Sequence, residues 1–345
     1  MRIPLFRGKT RWGLLLLTLL LSSLLFAACG GNPSILNPAG PVAQDEANLF
    51  WFILGVATFV FVVVEGILIW SIIRFRERPG MPTPRQIHGN TTLEIVWTVA
   101  PSIFLFVVLV FTIRTMFQID TVPTGGQQLE VTAVGHQWWW EFDYPTQKII
   151  TADDLVVPTG TVVHVKLYSN NVIHSFWVPN LTGKTDVVPG HDNEKWFSVD
   201  KPGTYHGQCA EYCGLQHANM AFNVVALPPD QFATWVSGQQ QAAVNNPQYA
   251  RGLALFKSKG CTACHGIVGV NLNDFNTQPQ TLVGPNLTHF GSRDLIAGGV
   301  LKNTPQNLAE WLRDPQAVKP GNDMPNLGLS QSEINDLVAY LESLK

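Results

Sequence analysis

The chain has 345 residues, a formal net charge of −3 and an apolar share of 46%. That length suits two or three domains, and the near-neutral charge excludes a nucleic-acid binder built on a basic surface. Five cysteines (Cys29, Cys209, Cys213, Cys261 and Cys264) are too few for a disulfide scaffold, and their C-x3-C and C-x2-C-H spacings are those of ligand or attachment motifs.

In chain order, Arg2, Arg7, Lys9 and Arg11 precede an apolar stretch from Gly13 to Ala28 that is short for a membrane span. Residues 1–28 therefore read as a signal peptide. The segment ends L-F-A-A-C-G, which resembles the lipobox of bacterial lipoproteins, with Phe26 in place of the usual leucine. The resemblance implies cleavage before Cys29 and a lipid anchor on that residue, with residues 29–44 as a tether. Two further apolar runs, Leu49 to Ile73 and Ile95 to Phe117, can each cross a bilayer core of ~30 Å as a helix. They predict a two-helix transmembrane hairpin over residues 45–120. Arg74, Arg76, Arg78 and Arg85, opposed only by Glu77 and Glu94, put the connection in the cytoplasm and everything after residue 120 on the outer face of a bacterial membrane. Glu65 interrupts the first run at a cost of about 2–3 kcal/mol if it faced lipid, so it is expected to face protein. Glu94 opens the second run, where it reads either as an acid favoured by the helix dipole or as the mouth of a proton path.

From residue 121 to 228 the pattern turns to short β-type runs: L-E-V-T-A-V, T-V-V-H-V-K-L-Y, I-H-S-F-W-V and M-A-F-N-V-V-A-L. Turn signals such as V-P-T-G and K-P-G-T separate them. The expectation is an all-β sandwich of the cupredoxin-like kind. His174 lies on one strand, and Cys209, Cys213, His217 and Met220 share one loop downstream. Two thiols and two imidazoles match a tetrahedral zinc site; outside the cytoplasm the two thiols could equally form a disulfide. A thioether suits copper rather than zinc, and two thiolates four residues apart can bridge a pair of coppers.

The run C-A-E-Y-C-G-L-Q-H-A-N-M with His174 upstream resembles the binuclear copper motif, CuA, of cytochrome c oxidase subunit II. G-H-Q-W-W-W-E-F-D-Y and V-P-N-L-T-G-K-T-D-V-V-P-G resemble other segments of that family, and the hairpin agrees with it. The resemblance implies copper ligands at His174, Cys209, Cys213, His217 and Met220, with the carbonyl of Glu211 completing the set. It also implies a magnesium shared with subunit I at the Glu211 carboxylate, electron uptake at Trp138 and a proton channel mouth at Glu94. Trp138 to Trp140 can also be read as packing, since alternate strand residues face opposite sides and at least one must fill core. His88, His136, His164, His191, His206 and His289 read as ordinary hydrogen-bonding residues.

Residues 229–246 are expected to form a linker helix, with its pattern running from Asp230 to Val244. In residues 247–345 the β pattern is lost and C-T-A-C-H, Cys261 to His265, reads as covalent haem c attachment. Met324, the only methionine after the motif, supplies the second axial ligand of a Met/His electron-transfer haem. Thr304 with Pro305 signals one helix start and the Ser330/Glu333 capping box another. L-V-G-P-N-L resembles the segment of class I cytochromes c whose proline carbonyl, here Pro285, orients the proximal histidine. A small all-α cytochrome c domain follows.

The resemblance as a whole is to subunit II of a caa-type cytochrome c oxidase. It implies an oxidoreductase component that is active with subunit I, takes electrons from a small cytochrome c or other periplasmic donor, and has no nucleic-acid partner. A copper-containing subunit of a nitric-oxide reductase and a zinc-stabilised structural or assembly protein are the alternatives that the residues leave open.

Overall fold

The computed structural model describes residues 13, 17, 18 and 33–345, apart from 84, 85, 87, 170, 243–245 and 275–282. Apart from residues 13, 17 and 18, the expected signal peptide lies outside the described residues, and so does Cys29.

Two long helices come first. Helix α1, Pro41–Arg74, has a proline in its first turn, and α2, Thr91–Asp120, is capped by Asn90, whose side chain accepts from the Leu93 amide. At 34 and 30 residues both exceed the length needed to cross a bilayer core, and their apolar windows are unburied. Phe52 meets Phe111 and Phe59 meets Phe104 between them. The chain is thus a two-pass membrane protein.

Helix α1 starts well before the apolar run that announced it. Its first turns pack onto the β-domain, where Val42, Ala43 and Ala47 are buried and Glu46 accepts from the Gly183 amide at 3.0 Å. Residues 34–40, expected as part of a tether, are also docked. The Ala39 amide donates to the Asn180 carbonyl, and the Asn180 amide group donates to the carbonyls of Ser34 and Asn37.

The β-domain is a sandwich. Strands β1 (Gln128–His136), β2 (Trp139–Tyr144), β3 (Ile149–Ala152), β5 (Val162–Ser169) and β8 (Asn193–Phe197) form one sheet in the order β3-β2-β1-β5-β8. Strands β4 (Asp154–Pro158), β6 (His174–Val178), β7 (Thr182–Val187), β9 (Gly203–Cys209) and β10 (Ala221–Leu227) form the other, in the order β4-β10-β9-β6-β7. Alternating residues such as Val131, Ala133, Val163, Val165 and Leu167 fill the space between them. Trp140, Phe142, Phe176 and Phe222 form its aromatic centre and are fully buried. Trp140 is therefore the core tryptophan that strand alternation demanded.

Helix α3, Pro229–Gln239, leads out of the sandwich, and the expected end at Val244 lies outside the described residues. The C-terminal domain packs α4 (Ala250–Ser258) against α7 (Gln331–Glu342), with α5 (Pro305–Arg313) and α6 (Pro315–Val318) around them. Its core gathers Phe256, Leu308, Ile334, Leu337 and Leu341. The capping box at Ser330 and Glu333 is formed. The domain is helical but not purely so, since β11 (Leu295–Ile296) and β12 (Leu301–Lys302) make a short ladder.

Candidate functional site

Strand pairing sets the first centre. Strand β6 carries His174 and pairs with β9, which ends at Cys209, with Phe176 opposite Cys209. The loop between β9 and β10 closes on itself, because the Cys209 amide donates to the Met220 carbonyl at 2.9 Å. A single turn of 3-10 helix, His217–Asn219, folds His217 back towards the cysteines. The two sulfurs lie 3.8 Å apart and are not bonded to each other. His174 Nδ1 lies 3.9 Å from Cys209 Sγ, His217 Nδ1 is 3.7 Å from Cys213 Sγ, and Met220 Sδ is 3.8 Å from Cys213 Sγ. The Glu211 carbonyl is 3.2 Å from Cys209 Sγ, while its carboxylate accepts from the Tyr212 amide. His174, Cys209, Cys213 and Met220 are all buried. Every side chain expected as a copper ligand is thus in one cluster.

The thiols titrate as a pair. The hydrogen bond with Cys213 draws the Cys209 thiol down to about 3, helped by His174. The same contact and burial push the Cys213 thiol upward. Loss of the proton from one thiol thus disfavours its loss from the other.

Several residues that hold this cluster carry no sequence signal. Asn171 Oδ1 accepts from His174 Nε2 at 3.0 Å, fixing the ring with Nδ1 towards the sulfurs. The Cys213 carbonyl takes hydrogen bonds from Gln137 Nε2 at 2.8 Å and Trp138 Nε1 at 3.0 Å. Gly135 lies against the His174 ring, where a Cβ would come within 2.8 Å. His136 departs from the expectation of an ordinary hydrogen-bonded histidine: its Nε2 is buried without a partner and its ring stacks on Trp139 at 4.2 Å. The remaining proton-path candidate, Glu94, sits exposed in the first turn of α2.

The second centre is a cavity of about 190 Å³ between the C-terminal domain and the β-domain. Cys261, Cys264, His265 and Met324 line it, among apolar walls that include Phe256, Leu308, Trp311 and Leu337. The cysteines lie on and just after a single turn, Cys261–Ala263, that follows α4. His265 Nδ1 is 2.9 Å from the Pro285 carbonyl, which leaves Nε2 as the ring's ligating nitrogen. A Cβ on Gly284 would meet that ring at 2.6 Å. Met324 is set by its amide donating to Asn322 and its carbonyl accepting from Gln316. Paired thiols, an oriented imidazole and a thioether around an apolar cavity fit a covalently held haem. Trp138 belongs to both centres: its indole lines this cavity and donates to Cys213.

Comparison with known proteins agrees with this layout. The transmembrane domain of cytochrome c oxidase subunit II matches residues 33–115, its periplasmic domain matches residues 146–227, and cytochrome c matches residues 249–345. Cytochrome c oxidase subunit 2 of Alkalihalophilus pseudofirmus is 39% identical over 334 residues, covering 94% of each chain. The same subunit of Bacillus sp. strain PS3 is 39% identical over 98% of this chain and 99% of its own. That of Bacillus subtilis is 36% identical over 97% and 98%. The chain belongs to the cytochrome c oxidase subunit II family, in the form that carries a C-terminal cytochrome c domain.

Proposed function

We propose that this chain is the electron relay of a cytochrome c oxidase: it takes electrons from a cytochrome c donor at its C-terminal domain and delivers them from its β-domain to subunit I, where oxygen is reduced to water with proton pumping. His174, Cys209, Cys213, His217, Met220 and the Glu211 carbonyl would hold a binuclear copper centre. Cys261, Cys264, His265 and Met324 would hold haem c. When bound, these groups supply one-electron redox chemistry.

The observation that carries the reading is the donor set around the paired sulfurs. Two thiols, two imidazole nitrogens, a thioether and a carbonyl converge through contacts of 3.2–3.9 Å. A single tetrahedral zinc needs only four donors and makes little use of sulfur from methionine. The donors come from a strand, a closed loop and a helical turn braced by the sandwich, so they need little rearrangement between oxidation states. Trp138 is the side chain suited to carry electrons between the centres, because it touches the cavity and the backbone of Cys213.

Glu211 offers its carboxylate to a magnesium shared with subunit I, and Glu94 offers an exposed acid at one end of α2 to a proton path in that subunit. The arginines between α1 and α2 favour a cytoplasmic connection and an outer-face location for both domains. Lipidation of Cys29 belongs to the same reading.

Replacing Cys213 by serine tests the proposal. In the purified oxidase, Cys213→Ser should abolish oxygen consumption with reduced cytochrome c while ascorbate still reduces haem c. Undiminished turnover in a variant shown to lack the copper would refute it.

A further inference from the structure

Lys319 is 2% exposed, yet it is a lysine. It lies five residues before Met324, on the same loop. Its ammonium donates to three carbonyls: Trp138 at 2.7 Å, Asn219 at 2.8 Å and Ala297 at 2.8 Å. Trp138 and Asn219 belong to the β-domain, and Asn219 lies between His217 and Met220. An ammonium has three N–H donors, and all three are used. The charge facing it is the carboxylate of Asp153.

The surrounding surface is built for close approach. Gly298 and Gly299 have φ of +69° and +85°; a Cβ on Gly298 would strike the Trp138 carbonyl, and one on Gly299 would meet the Ala221 carbonyl at 2.8 Å. The Ala221 amide donates across the interface to the Gly298 carbonyl at 3.1 Å, and the Asp294 amide donates to Asp154 at 3.0 Å. Gln216 Nε2 donates to the Pro320 carbonyl at 2.7 Å. The linker after the β-domain raises the effective concentration of the two domains, but a linker does not choose an orientation.

We propose that Lys319 is a positioning residue for electron transfer. Its buried ammonium clamps the Met324 loop to Trp138 and to the His217–Met220 loop, and so fixes the separation and orientation of the two centres. The inference rests on the relay reading above. A side chain with fewer or shorter-reaching donors at this position would leave carbonyls that Lys319 now pairs without their donor and release the clamp.

The test uses the assembled oxidase with Lys319→Gln, and two readouts. The first is hydrogen exchange in peptides containing Ala221 and Asp294, whose amides donate across the interface. The second is the rate at which electrons leave haem c for copper after rapid reduction of haem c, with copper and haem spectra recorded as controls. We expect exchange at both amides to accelerate by about tenfold or more, and the transfer rate to fall by about tenfold or more as alignment is lost. Unchanged exchange overturns the clamp, whatever the rate does. Faster exchange with an unchanged rate leaves the domains docked through Lys319 but overturns the relay route across this interface, and with it the positioning role. If Lys319→Gln fails to retain both centres, Gln216→Ala removes a separate contact to the same loop. It should shift both readouts in the same directions by smaller factors, and no shift there would overturn the proposal.

Discussion

His136 and Glu141 show how burial sets charge beside the proposed copper ligands. Their nearest side-chain atoms are 3.8 Å apart, but burial holds both neutral near pH 7. Burial, with His174 nearby, draws His136 down to about 4, and burial with the charge of Asp143 pushes Glu141 up to about 8. The contact is therefore not an ion pair. The folded Glu141 pKa lies above its unfolded value, so its contribution to stability is complete in acid and lost as pH rises through about 8. His136 works the other way, contributing above its ordinary range and losing this as pH falls through about 4. Between the ordinary histidine range and about pH 8 the Glu141 contribution is no longer offset by His136. The β-domain should thus melt at lower temperature as pH rises across that window, and Glu141→Gln should flatten the decline. A wild-type slope retained in the variant would reassign the effect to Asp143 or Asp154.

A second residue-scale prediction concerns Gly135. Gly135→Ala puts a Cβ within 2.8 Å of the His174 ring, and overpacking of this kind costs about 1–3 kcal/mol. Copper per chain should fall, and full loading would show that the ring can shift without losing the site. At this scale the clustering of the donor side chains was legible, because thiols, imidazole and thioether crowd one short loop. Asn171, Gln137 and Gly135 were not, since an amide or a glycine has the same appearance in any loop until the fold brings it to a ligand.

At the scale of elements, local signals and distant contacts part company. The helix starts at Thr304 and Ser330 are written within four residues of sequence, and the caps form as such motifs dictate. The sequence signals β1, β5, β6 and β10; β2, β3, β4, β8, β9 and the ladder of β11 with β12 are not among its strand runs, and L-T-G-K, which reads as a turn signal, opens β7. The segment before α1 has the Pro- and Asn-containing composition of a linker, yet it is docked through contacts 143 and 146 residues away at Asn180. Composition does not encode a partner at that distance. Asn180→Ala removes two part-buried hydrogen bonds, to the carbonyls of Ser34 and Asn37, each worth about 0.5–1.5 kcal/mol. Thermal unfolding of the β-domain should register it as a lower melting temperature, whereas a truly free tether would leave melting unchanged.

For the whole molecule, the sequence announced three modules in order but not their arrangement. The interface between the β-domain and the cytochrome c domain is made of Lys319, Gln216, Asp154 and two glycines, none of which forms a motif. Because Lys319 is buried, salt should screen its contacts weakly. Internal transfer from haem c to copper should therefore change little between low and high ionic strength, while delivery from a separate charged donor should depend on it. A steep salt dependence of the internal step would mean that the domains dock by surface charge instead. The most direct measurement of the central claim is the metal and haem content of the full-length chain, purified without its partner subunits, together with its electron paramagnetic resonance spectrum. The account predicts two coppers and one haem c per chain, with one unpaired electron shared between both copper nuclei. A single zinc, a single copper or a Cys209–Cys213 disulfide in place of the pair would contradict it.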